Sequence, residues 1–246
     1  MQVRMLTTRS IAATSALCIA AIVGPAQATG SAYTVAVGGD TAPGSHPATL
    51  TADPIVSTPA TTRRVEFRVR NKAGTVVRWG CTSITGSAIA HAGTVPDVLD
   101  LVSSSWQGCT GPFGALPPSQ VGTWTFRSTS PVTPSSTDVV SGQIDTVRLH
   151  FESPTGGCRF DLAGDPAGTV PGTLPATFDE STQKLAIKEG GFAGNLYVSG
   201  VWGCLGQVQN GNPADIVGFA TPAGPILPAT FSVSVPGGPI NLVSSP

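Results

Sequence analysis

The chain has 246 residues, of which 11% are charged and 40% hydrophobic, and its formal net charge is −1. The hydrophobic fraction is too high for a disordered chain, and the near-neutral balance argues against nucleic acid or a strongly anionic membrane as the main partner. Its 30 glycines and 22 prolines leave little room for long helices and favour an all-β fold.

Residues 1–28 have the pattern of a signal peptide. Arg4 and Arg9 precede an apolar run over residues 10–24, and Ala26-Gln27-Ala28 is a small-residue cleavage site. The apolar run is too short to span a membrane comfortably. We therefore expect cleavage after Ala28 and a secreted, extracellular product without a transmembrane segment.

Removing the signal peptide discards Cys18 and leaves four cysteines, Cys81, Cys109, Cys158 and Cys204. In an exported protein an even number of cysteines favours disulfides, here two. Four cysteines allow three connectivities, and the sequence does not distinguish them. Local pairing, Cys81 with Cys109 and Cys158 with Cys204, is the simplest.

The first clear strand is Arg64–Arg70, where apolar and charged residues alternate with the period of a half-buried strand. A turn at 71–74 and a returning strand over Thr75–Cys81 predict a hairpin. Residues 146–152 alternate in the same way and predict another strand. Five shorter strands are predicted at Tyr33–Val37, Thr123–Arg127, Lys184–Lys188, Leu196–Trp202 and Phe231–Val235.

One helix is predicted, at Pro96–Ser103, because it has a proline at its start and Asp97 in its first turn. The linker-like segment 131–141 is rich in Ser, Thr and Pro and divides the mature chain into a first β half (29–130) and a second β half (142–246). Many short strands with regular breakers predict an all-β, antiparallel β-sandwich, with two similar halves as a variant and two disulfides.

Four segments carry a resemblance to known proteins: SWQGCTGPFG (105–114), SGQIDTVRLHF (141–151), GGCRFDLAG (156–164) and VWGCLGQVQNGNPA (201–214). With them, the chain resembles an uncharacterised family of small secreted actinobacterial β-rich proteins with four cysteines. The resemblance covers about residues 33–236 and implies export, two disulfides and a β fold. It implies no catalytic activity, because the matching motifs combine cysteines with turn residues.

Candidate catalytic groups are few. Of His46, His91 and His150, only His150 shares a predicted strand face with charged residues, Arg148 and Glu152. This arrangement favours an exposed ladder of charges over an acid–base pair. The acidic pair of Asp161 and Asp165 has the Gly and Pro neighbours of a turn, which we favour over a calcium site or a carboxylate pair. The sequence has no zinc-binding pattern, nucleophile elbow or nucleotide-binding loop, so we expect no metal and no cofactor.

Two features favour binding. Arg64, Arg68 and Arg70 share one face of a strand, and Arg78 on the returning strand joins them as a candidate anion-binding stripe. The alternative is a charged outer face that keeps the strand soluble.

Tryptophans are the second feature, because exposed indole rings stack on sugars. Trp79, Trp106 and Trp202 lie within three residues of a cysteine, so we expect them to pack in the core beside the disulfides, and Trp124 as well.

From these features we predict a secreted, non-enzymatic, cell-envelope-associated binding or structural module. Its predicted partner is a cell-wall polymer or polysaccharide, and self-association stays open. The alternative is a secreted hydrolase acting on polysaccharide or peptide, with His150 or a carboxylate as its catalyst.

Overall fold

The computed structural model describes residues 33–54, 64–129, 137–218 and 225–244, so the predicted signal peptide lies outside the described residues. These residues form nineteen strands, numbered here in chain order, and one 3₁₀ turn at Cys204–Gly206. The predicted all-β class is confirmed. In the described part of the chain, no helix is long and apolar enough to cross a membrane.

Eight strands of the larger sheet close into a barrel. In order around it they are β5 (Ser83–Thr94), β2 (Gly44–Ala52), β18 (Ala229–Ser234), β15 (Lys184–Ile187), β14 (Gly172–Asp179), β11 (Val139–Val147), β10 (Trp124–Ser128) and β6 (Leu99–Gln107). The barrel closes because β6 pairs again with β5. Two further strands, β1 (Tyr33–Val37) and β19 (Ile240–Ser244), extend the sheet from the end of β5.

Nine strands form the second sheet, which curves into a half-barrel. In order they are β8 (Gly114–Ala115), β7 (Thr110–Gly111), β4 (Val76–Cys81), β3 (Val65–Arg70), β17 (Pro213–Gly218), β16 (Leu196–Gly203), β13 (Cys158–Ala163), β12 (Leu149–Glu152) and β9 (Pro118–Gln120).

The two sheets form a barrel joined to a half-barrel, whereas we predicted a plain sandwich. The segment that closes the barrel is the one predicted to be helical, Pro96–Ser103. Leu99 and Leu101 both face the barrel interior, and both pair with β5 and with β10. The helix prediction is therefore wrong, because pairing on two edges outweighs the weak local preference for a helix.

Each sheet combines strands from the first and the second predicted β half of the chain. In the barrel β10 pairs with β11, and in the half-barrel β3 pairs with β17. Between β10 and β11, residues 131–136 of the predicted linker lie outside the described residues.

The predicted strands agree closely with the observed ones. The hairpin of β3 and β4 is confirmed, and the Asn71 side chain caps its turn by accepting hydrogen bonds from the amides of Ala73 and Thr75. The five shorter predicted strands match β1, β10, β15, β16 and β18 to within two residues. The predicted strand 146–152 is divided, because Thr146 takes a φ of 59° and the chain passes there from barrel to half-barrel.

One hydrophobic core spans both sheets. In the half-barrel, the Phe151 and Phe160 rings stack with centroids 4.8 Å apart, and Trp79 meets Phe160 edge-on at 5.4 Å. Trp106, from the barrel strand β6, lies 5.3 Å from Phe67 and joins the two sheets. The barrel interior is a packed core, because its apolar cavity has a volume of only about 30 Å³.

The structure contains two disulfides, Cys81–Cys109 and Cys158–Cys204. This is the local pairing, one bridge within each half of the sequence. The first joins the end of β4 to the segment before β7, and the second joins the start of β13 to the turn after β16.

Candidate binding face around Trp202

Three neighbouring strands of the half-barrel build an exposed face. Glu152 on β12 pairs with Arg159 on β13, which pairs with Trp202 on β16. His150 and Asp161 form a second row two residues further along the same strands. Directly opposed residues of antiparallel strands point to the same side of the sheet, so these five side chains share one face, which we call the Trp202 face.

Trp202 is 56% exposed, although we predicted a core position. The pairing of β13 with β16 shifts by one residue between Asp161 and Arg159, which adds a residue to β16 near Gly200. An extra residue reverses the alternation of side chains, so Leu196 and Val198 point into the core while Trp202 points out. The prediction of a core position for Trp202 is wrong, because nearness to a disulfide does not decide the side of the strand to which a side chain points.

Gly200 makes this shift possible. Its φ is 62°, and a Cβ atom there would lie 3.2 Å from an Asp161 carboxylate oxygen. Other residues are disfavoured at this φ and would crowd Asp161. The Asn210 side chain supports the same place by accepting a hydrogen bond of 2.9 Å from the Val201 amide.

The turn after Trp202 is held by the second disulfide. Four consecutive residues, 203–206, have positive φ angles between 51° and 72°. Cys204 is buried, and its amide donates to the Gly157 carbonyl at 3.1 Å, while Leu205 is 81% exposed. Left-handed backbone at Cys204 and Leu205 persists only where the surroundings enforce it, so the disulfide and the hydrogen bond fix the position of Trp202.

Polar side chains surround the indole. The Arg159 guanidinium carbon lies 5.7 Å from the centroid of the Trp202 ring, a cation–π contact. His150 Nδ1 lies 2.6 Å from Asp161 Oδ1, and its Nε2 lies 3.6 Å from Glu152 Oε2. The face thus combines a flat aromatic surface with two carboxylates, an imidazole and a guanidinium.

The four arginines of the predicted anion-binding stripe have separate surroundings. Arg64 donates to the Ala52 carbonyl, and Arg78 lies 3.3 Å from Glu66. Arg70 is exposed, with its guanidinium 4.2 Å from the centroid of the Phe192 ring. Arg68 is buried and forms a two-point ion pair with Asp215. Anion binding at this stripe stays a prediction.

The charged face of β3 is buried, although its alternation predicted an exposed face. Glu66 and Arg68 are 2% and 5% exposed. Residues of the 188–195 segment contact this network: Phe192 lies over Arg68, and its amide donates to Asp215 at 3.4 Å. The buried Glu189 accepts a hydrogen bond from Asn195, and burial raises its pKa, with the charge of Asp215 adding to the effect.

The two residues of the predicted acidic pair, Asp161 and Asp165, lie in different structural surroundings. Asp161 lies on β13 as the partner of His150, whereas Asp165 forms the predicted turn. Asp165 accepts hydrogen bonds of 2.8 Å from the Val170 amide and from the Thr169 hydroxyl, and these bonds lower its pKa. Among the described residues, no group of three His, Cys, Asp or Glu side chains lies close enough to hold a metal ion.

Sequence reasoning missed Arg159 and the contact between His150 and Asp161. The signal was present in residues 158–162, CRFDL, where charged residues alternate with apolar ones as they do in an edge or outer strand. Comparisons with protein families, with curated proteins and with solved structures find no match to this chain.

Proposed function

We propose that this protein is a secreted, non-enzymatic module that binds a cell-envelope polysaccharide through the Trp202 face. Exposure of Trp202 beside Arg159 and two carboxylates is the observation that carries the proposal. A sugar ring has an apolar face of C–H groups and a rim of hydroxyls. An exposed indole fits the first, and charged hydrogen-bonding groups fit the second.

Rigidity of the face supports the same proposal. An exposed tryptophan on a mobile loop would lose conformational entropy on binding, whereas the disulfide and the turn at 203–206 already hold Trp202 in place. Two disulfides accord with an extracellular protein, and the signal-peptide pattern of residues 1–28 supports export.

The test is co-sedimentation of the oxidised protein with purified actinobacterial cell walls and with insoluble polysaccharides, at low and high salt. We expect Trp202→Ala to weaken binding at least tenfold and Trp202→Phe to retain part of it. Val139→Ala is the matched control, because Val139 is exposed to a similar extent, 59%, but lies on β11 in the barrel. Equal binding by Trp202→Ala and the native protein would refute the proposal.

A hydrolase is the second candidate, and the contact between His150 and Asp161 is the observation that favours it. A carboxylate at 2.6 Å orients an imidazole for acid–base catalysis, and Ser119 on β9 pairs directly with His150. Its test is release of soluble sugars or peptides from the same cell walls. A hydrolase would lose that activity in His150→Gln while keeping its binding, and a binding module would release nothing.

A further inference from the structure

We propose that the turn between β14 and β15 is a pH-sensitive latch, which holds the strand β19 in acid and releases it more readily above neutral pH. Two side chains of this turn, Glu180 and Gln183, bind the backbone of β19. Neither residue lies on the Trp202 face, so the proposal is independent of polysaccharide binding.

Side chains cap the outer edge of β19. In the described part of the chain, β1 is the only partner strand of β19. Along its other edge, Gln183 imitates a neighbouring strand, because its Nε2 donates to the Ile240 carbonyl at 2.9 Å and its Oε1 accepts from the Ile240 amide at 2.8 Å. Glu180 accepts a third hydrogen bond, from the Leu242 amide. These three bonds do for β19 what a further strand would do.

The turn that carries these two side chains is firmly held. Asp179 Oδ1 accepts a hydrogen bond of 2.9 Å from the Ser181 amide, and the Gln183 carbonyl accepts one of 2.8 Å from the Val233 amide on β18. By contrast, β19 is connected to β18 by residues 235–239, VPGGP, which include two glycines. When the latch opens, β19 is therefore the part that moves.

The surroundings of Glu180 oppose a negative charge on its side chain. Glu180 is 2% exposed, and its Oε2 is buried without a hydrogen-bond partner among the described residues. The carboxylates of Asp138 and Asp179 act on it as like charges. On β15, Lys184 Nζ lies 2.7 Å from Asp53, and β1, β18 and β19 contain no acidic, basic or histidine residue. Ionised Glu180 is thus poorly hydrated and repelled by its neighbours.

These surroundings set the direction of the pH response. Burial raises the pKa of Glu180 from 4.5 to about 7, and the charges of Asp138 and Asp179 add to the effect. Release of β19 admits water to the carboxyl group and returns its pKa toward the ordinary value. The stabilisation of the closed latch is therefore fully present below pH 4.5 and is lost as the pH rises through 7.

Amide hydrogen exchange, followed by NMR at several values between pH 5 and pH 8 and corrected for intrinsic rates, is the test. The amides of Ile240 and Leu242 report on β19. The Val198 amide, which donates to the Asn212 carbonyl at 2.9 Å in the half-barrel, reports on global unfolding. We expect the opening constants of Ile240 and Leu242 to rise about tenfold or more across this range and to exceed that of Val198 throughout. Values equal to that of Val198 would mean that β19 leaves only when the whole protein unfolds, and would overturn the proposal.

Two variants separate the charge from the contacts. Glu180→Gln keeps an acceptor for the Leu242 amide and cannot ionise, so the rise in opening with pH is expected to disappear. Gln183→Asn is too short to reach Ile240, although asparagine tolerates the φ of 53° at this position. Opening of β19 is expected to increase about fivefold in Gln183→Asn at every pH, with the rise retained. The same rise in Glu180→Gln, or unchanged opening in Gln183→Asn, would overturn the proposal.

Discussion

Arg68 Nε and Asp215 Oδ1 lie 2.7 Å apart across β3 and β17, and a second contact between the same two groups completes a buried two-point ion pair. The pair explains why an alternating strand is covered on both sides. Its charged face meets a carboxylate from the neighbouring strand, and Phe192 lies over the guanidinium.

We expect Asp215→Ala to lower the free energy of unfolding by about 3–5 kcal/mol, because it leaves the Arg68 guanidinium buried without its partner. The double variant Arg68→Met, Asp215→Leu is the control and is expected to recover most of this loss. Urea denaturation followed by circular dichroism measures both. A loss below about 1 kcal/mol in Asp215→Ala would show that the pair is not buried as described.

The stability of the protein should fall between pH 5 and pH 8 because of Glu180. Burial raises its pKa to about 7, and the charges of Asp138 and Asp179 add to the effect. A raised pKa means that the folded state favours the protonated carboxyl, so its stabilisation is present below the ordinary pKa of 4.5 and is lost as the pH rises through 7.

Glu180→Gln provides the matched comparison, since an amide retains the acceptor for the Leu242 amide and carries no charge. We expect equal stability of the two proteins near pH 4.5, and an advantage on the order of 2 kcal/mol for Glu180→Gln at pH 8. Chemical denaturation across this pH range measures the difference. The same pH dependence in both proteins would contradict the role of Glu180.

The two disulfides should differ in their effect on binding. Either double variant, Cys81→Ala with Cys109→Ala or Cys158→Ala with Cys204→Ala, is expected to lose roughly 3–4 kcal/mol of stability by the chain-entropy argument. Only loss of the second bridge should also weaken cell-wall binding, because that bridge holds the turn beside Trp202. Co-sedimentation at a temperature where both variants stay folded separates the two effects.

Iodide quenching of tryptophan fluorescence should report mainly on Trp202. It is 56% exposed, whereas Trp79, Trp106 and Trp124 are at most 9% exposed. Trp202→Phe is expected to remove most of the quenchable emission and to change stability by less than about 0.5 kcal/mol. Trp79→Phe is the control and should leave the quenchable emission in place. Unchanged quenching in Trp202→Phe would place the indole in the core after all.

The alternation of apolar and polar residues was sufficient to predict the position of a strand where that strand is regular. The alternation of Arg64–Arg70, the turn at 71–74 and the short strand Tyr33–Val37 appear in the structure as predicted. Nearness to a cysteine failed to predict the position of Trp202, because its side of the sheet is set by a one-residue register shift against the neighbouring strand. The alternation itself failed for the charged face of β3, because the carboxylate that pairs with Arg68 lies 147 residues further along the chain.

The amino-acid sequence by itself determined the all-β class, the four cysteines available for two disulfides and the positions of most of the strands that it predicted. Those features follow from composition and from period-2 alternation, which act within a few residues. Tertiary structure alone decided the closure of the barrel by β6, the burial of Arg68 and the exposure of Trp202. Each of these depends on which strands become neighbours and in which register, and that choice is made by packing between segments that are distant in the chain.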